Sequence, residues 1–173
     1  MGSGVSSLNK TSYGTSQPYA ESYGVLPEMV NRDKKDPDIY DTGKGYFMNP
    51  TAIDMKDAIG DDGKIRFKNG REVGDNALYV LDENGNLIIG YRKNPNNSEK
   101  RSPHPTLIGG KSPRVACAGI LHFRDGKILS VDQESGHFRP HEKSLRKVGK
   151  YLKDLCKEHP ELFDEDSPWR KGK

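Results

Sequence analysis

Two short segments concentrate the residues that could do chemistry. Ser102-Pro103-His104-Pro105-Thr106-Leu107-Ile108-Gly109-Gly110-Lys111 and Ser135-Gly136-His137-Phe138-Arg139-Pro140 each set a histidine beside hydroxyls, glycines and a strong cation. Histidine gains and loses its proton near neutral pH, so two of them can supply the base and the acid of one reaction. A phosphodiester suits this set. RNA cleavage without a metal needs a base for the 2′-hydroxyl proton, an acid for the leaving 5′ oxygen and cations for the charge growing on phosphorus. His104 and His137 would exchange the protons, and Lys111 and Arg139 would meet the charge, worth about 3 kcal/mol per well-placed donor. Thr106, Ser135 and Arg114 would bind the phosphate, and Gly109-Gly110-Lys111 could form a backbone nest for it. Against this stands a plainer reading, in which both histidines are turn residues that cap backbone groups. Lying 33 residues apart, they are no motif until they meet in space.

Charge singles out the same region. Residues 91–150 hold thirteen Lys and Arg against five Asp and Glu, a local +8 in a chain of net charge +3. The remainder carries 15 basic and 20 acidic residues, and four of the five histidines lie inside the basic segment. Such a surface attracts RNA whatever its sequence, in a salt-dependent way.

The elements that must position these groups can be read from periodicity. Leu78–Leu81 and Leu87–Tyr91 flank Asn84-Gly85, a strong hairpin signal. Val115–Phe123 and Lys127–Val131 flank Asp125-Gly126 in the same way. Two hairpins give a four-stranded antiparallel sheet, with Ile65–Phe67 as a possible fifth strand. His122 is expected opposite Leu129 on the face of Ile120, as a buried or half-buried strand residue. Short helices are expected at 25–30 and 53–59, the second capped by Thr51. A last helix runs from Glu142 to about Glu158, with Leu145, Val148, Leu152 and Leu155 in one apolar stripe to cover the sheet. His141 at its start is expected to be exposed, and His159 to sit favourably at its end. The fold class is therefore α+β: four to five antiparallel strands packed by a C-terminal amphipathic helix.

Composition bounds the rest. The 173 residues suit a single domain, and only 32% are apolar, against roughly 45–50% (counting glycine) in an average domain. With a mean hydropathy of −0.89, the chain cannot bury a core along its whole length. Residues 1–24, rich in Ser, Gly, Thr and Tyr, read as a flexible leader or linker, 25–160 as the folded domain, and 161–173 as a frayed charged tail. The start Met1-Gly2-Ser3-Gly4-Val5-Ser6 matches the pattern for acylation of Gly2, but a Gly/Ser linker has the same letters. No run approaches the ~20 apolar residues of a membrane span, and no secretion-signal core is present. Cys117 and Cys156 read as packing thiols, and no spacing of metal ligands occurs, so no metal or cofactor is expected.

The run PHPTLIGGKSPRVACAGILHFRDGKILSVDQESGHFRP, with LYVLDENGNLIIG upstream, resembles C-terminal toxin modules of bacterial polymorphic toxins, carried by Rhs-type and other secreted delivery proteins. The resemblance spans roughly residues 45–155. It implies an effector, secreted or delivered into the cytoplasm of a target cell, with a cognate immunity protein as partner; it assigns no catalytic residue. Three functions are open at this stage. One is a ribonuclease acting through His104 and His137. Another is an NAD-consuming ADP-ribosyltransferase with Glu134 as catalytic carboxylate and Tyr91 or Phe138 against the nicotinamide. The third is a binding module whose basic helix 142–158 engages an acidic partner or a membrane surface.

Overall fold

The period-two runs become strands of one antiparallel sheet in the computed structural model, which describes residues 10–11, 14–94 and 97–171. The elements that concern the site are β1 (Tyr23–Gly24), α1 (Pro27–Asp33), β2 (Ile53–Asp54), β3 (Asn76–Asp82), β4 (Leu87–Gly90), β5 (Arg114–Arg124), β6 (Lys127–Val131) and α2 (Leu145–Glu158). The strand order is β6-β5-β3-β4-β2, and β1 pairs with the opening residues of β5. The two expected hairpins, β3–β4 and β5–β6, are joined through the long β3–β5 ladder. The fold is α+β, and its main sheet has six strands among the described residues. Ile65–Phe67 is not the extra strand: Ile65 and Arg66 make only single bridges, to Ile59 and Glu72. The added strands are β1 and β2. The expected helix at 53–59 is β2 followed by one turn, Met55–Ala58, capped by the Asp54 carboxylate rather than by Thr51.

Alternation along the strands divides the core between two faces. One face carries Tyr79, Leu81, Cys117, Leu121 and Phe123, and α2 covers it with buried Val148, Leu152 and Cys156. Fully burying Val148 and Leu152 contributes roughly 1.5–3 kcal/mol each. The other face, with Leu78, Val80, Val115 and Ala118, is covered by the histidine-bearing segments through Leu107 and Phe138. Both cysteines are buried and unpaired.

Folded structure reaches further in both directions than composition suggests. Residues 14–24, read as leader, include buried Ser16 and Tyr23, and the Tyr23 hydroxyl lies 2.7 Å from the Ser144 hydroxyl at the start of α2. The tail read as frayed instead buries Leu162 and Phe163, and Asp164 N–H donates to the Ile128 carbonyl of β6. Gly2 and its acylation lie outside the described residues. Among the described residues, no helix is long and apolar enough to cross a membrane.

Candidate active site

His104 and His137 meet. Both line one cavity of about 120 Å³, whose floor is Leu78 of β3 and Ile120 of β5, with Met29, Ser102 and Gly136 at its sides and Arg32 and Arg92 beside it. Each histidine reaches the cavity through a tight local structure. Pro103, Pro105 and the Thr106 hydroxyl, which donates to the Pro103 carbonyl at 2.6 Å, wind residues 104–107 into a 3₁₀ turn. His137 sits in a turn closed by Arg139 N–H donating to the Ser135 carbonyl, anchored by the wholly buried Phe138. The His137 carbonyl in turn accepts from Leu26 N–H, just ahead of α1.

The partners of the two rings fix their protons. His104 Nε2 is 2.8 Å from the Gly119 carbonyl, which can only accept, so Nε2 carries the hydrogen and Nδ1 the lone pair. Burial, reinforced by His137 and Arg92 nearby, pushes the His104 imidazole down to about 4, and it is neutral at physiological pH. His137 Nε2 donates to Asp33 Oδ2 at 2.8 Å, and the Tyr46 hydroxyl donates to the same oxygen at 2.6 Å. Asp33 is 2% exposed at the end of α1. Its burial opposes ionisation, but the hydrogen bonds from His137 and Tyr46 outweigh this and hold its carboxyl below the usual range. Burial and Asp33 push the Tyr46 hydroxyl far up, so it stays a donor. The result is a buried Tyr46–Asp33–His137 relay that leaves Nδ1 of His137 as its basic atom. This is the arrangement in which a buried carboxylate fixes the tautomer and orientation of an imidazole.

The other residues picked from sequence are placed elsewhere. Lys111 and Arg114 border a separate concavity of about 210 Å³ beside β1. Arg114 is engaged there with Ser22, Nε to the hydroxyl at 3.0 Å, and lies 3.8 Å from Glu83. Arg139 lies over Gly14, its Nε buried without a hydrogen-bond partner. The Thr106 hydroxyl is spent on Pro103, and the Ser135 hydroxyl oxygen accepts from Phe138 N–H, so both serve their own turns. There is no anion nest at Gly109-Gly110: Gly109 N–H donates to Pro105 and Gly110 N–H to Tyr46. Those glycines, both at positive φ, are where the Tyr40–Tyr46 hairpin docks; a Cβ on Gly45 would lie 2.3 Å from the Gly110 backbone.

The transferase set is scattered. Glu134 does not line the cavity, Phe138 has no exposed surface, and Tyr91 packs on Phe67 and Arg71 across the sheet. His141, expected to be exposed, is 1% exposed and accepts Lys143 N–H through Nδ1. On the basic helix, Lys147 pairs with Glu21 at 2.8 Å. Among the described residues, no group of three or more His, Cys, Asp or Glu side chains could hold a metal ion.

Sequence reasoning missed Asp33, Tyr46, Arg32 and Arg92. Asp33 stands in the run Arg32-Asp33-Lys34-Lys35-Asp36, which has the look of a solvated loop, and nothing local marks its partner 104 residues away. Comparison of the chain with protein-family models, curated proteins and solved structures finds no match.

Proposed function

We propose that the protein is a ribonuclease effector in which His137, backed by Asp33, takes the proton from an RNA 2′-hydroxyl. The observation that carries this reading is the convergence of two histidines on one small cavity beside two arginines. His137 Nδ1 is the acceptor, and the Asp33 carboxylate at its back offsets the charge the ring gains. Arg32 and Arg92 supply the cations that Lys111 and Arg139 were expected to provide. His104, neutral and fixed in one tautomer, offers a hydrogen-bond acceptor to the nucleophile or to ribose. The volume favours this chemistry over the transferase one. About 120 Å³ is well below the roughly 300–1,000 Å³ of sites that enclose drug-sized ligands, enough for a phosphate group but not for a dinucleotide. Action inside a target cell and protection by a cognate immunity protein extend the reading on the strength of the resemblance to polymorphic toxin modules.

The test is incubation of the protein with total RNA in EDTA, in parallel with NAD. Fragments ending in 2′,3′-cyclic phosphate are the expected product. His137→Ala lowers the rate by about 10²–10⁴-fold, and Asp33→Asn, which keeps the shape but removes the charge, falls in the same range. Nicotinamide release without RNA cleavage would replace this reading with the transferase one. Silence in both assays would favour a binding role for helix 142–158.

A further inference from the structure

Cleavage of RNA that starts with a base is completed by protonation of the poor 5′-alkoxide leaving group, and the histidines of the cavity do not supply a second group suited to give that proton. His104 is neutral above about pH 4, and the one proton it keeps, on Nε2, is only weakly acidic and is bound to the Gly119 carbonyl. The same sheet face carries another histidine. Ile120, which forms part of the cavity floor, is two residues before His122 on β5, and the β3–β5 ladder runs unbroken from Gly119 to His122. Side chains two apart on a strand share a face and stand about 6.5–7 Å apart along it. The His122 side chain is 41% exposed, and its Nε2 donates to Asp132 Oδ2 at 2.8 Å. Asp132 is itself fixed, since its Oδ1 accepts from Ile120 N–H at 2.8 Å and from Glu134 N–H at 2.9 Å. Its charge also reaches His104. The face thus holds a second imidazole–carboxylate pair, built like His137–Asp33 but open to solvent, one strand step beyond the floor. Its cross-strand neighbours are polar, Asn76 on β3 and Ser130 on β6, so the rim continues as a hydrophilic surface.

The geometry points to His122, oriented by Asp132, as the general acid that protonates the leaving 5′ oxygen; this assignment rests on the ribonuclease reading. In the step, the 2′ oxygen bonds to phosphorus as the bond from phosphorus to the 5′ oxygen breaks. The 2′ proton ends on His137 Nδ1, and the Nδ1 proton of the His122 imidazolium ends on the departing oxygen. The products are a 2′,3′-cyclic phosphate and a 5′-hydroxyl, and exchange with water restores both rings.

The experiment compares two substrates in EDTA: RNA, whose alkoxide leaving group needs a proton, and uridine 3′-(4-nitrophenyl phosphate), whose nitrophenoxide does not. His122→Ala is expected to slow RNA cleavage by about 10²-fold or more and to leave turnover of the nitrophenyl ester within a few-fold of wild type. His137→Ala slows both substrates. Far-UV circular dichroism confirms that each variant is folded. Wild-type cleavage of RNA with an equally active His122→Ala would overturn the assignment of His122 alone. Equal loss on both substrates would also overturn it, by giving His122 a binding or structural part. A wild-type protein inert toward both substrates would overturn the ribonuclease reading and this assignment with it.

Discussion

The burial of His104 ties the stability of the fold to pH. In the folded chain His104 accepts a proton only near pH 4, whereas an unfolded chain accepts one near the ordinary 6.5. Between these values the unfolded state binds more protons, so acidification favours unfolding. The penalty is absent above pH 6.5, grows as pH falls, and reaches about 3 kcal/mol near pH 4. His104→Gln, whose amide can still donate to Gly119, removes the titration. Its unfolding free energy in urea, followed from pH 7 to 4, should fall less steeply than that of wild type, and a parallel slope would sink the idea. At this scale the sequence is half legible. The histidines stand out because Pro, Gly and hydroxyl residues surround them. Asp33 does not, because what distinguishes it from Asp36 or Asp38 is burial against Tyr46, a property of the fold rather than of its neighbours in the chain.

Among the elements, β5 decides where the site forms. Gly119 lies at its middle, opposite Tyr79, and the chain leaving β6 passes directly over it. A Cβ there would sit 2.1 Å from the Asp132 carbonyl oxygen, the atom that accepts the Tyr79 hydroxyl at 2.6 Å. Gly119→Ala must push residues 132–133 off the strand, at a cost of roughly 1–3 kcal/mol, and it moves Asp132 from His122. Lower urea stability, together with a shifted His122 ring resonance in NMR spectra, would show both effects; unchanged spectra would contradict the account. The hairpins were readable because their turn chemistry is local. Asp125 and Gly126 both take positive φ, as a two-residue turn of this kind requires. The register was readable only as far as Ile128. A bulge near Leu129 sets His122 opposite Ser130, a polar neighbour instead of the expected apolar one. At Asn84-Gly85 the hairpin is real, but its loop runs over 83–85, with the Asp82 carboxylate accepting from Asn84 and Asn86 N–H. Bulges and loop lengths depend on packing across strands, and periodicity alone does not carry that information.

For the molecule as a whole, residues 14–24 and 160–171 are both tied to the centre. Phe163 is wholly buried, bridges to Ile128 and packs edge-on to Trp169 at 5.7 Å. Its truncation in Phe163→Ala should cost about 3–5 kcal/mol in urea denaturation, where a frayed tail would cost nothing measurable. Low hydropathy pointed to mobile ends, but a few well-placed aromatic residues anchor segments whose average composition is polar. The same long reach governs the site: Asp33 meets His137 across 104 residues, and Gln17 and Tyr23 meet Phe138 and Ser144 across 121. On a ribosome this separation becomes a delay. While residues 1–130 are emerging, Asp33 has no imidazole to orient and β1 no helix start to bond, so every shorter nascent chain lacks the relay. The Tyr46–Asp33–His137 arrangement therefore forms only after His137 has been made and has folded back onto residues 33–46.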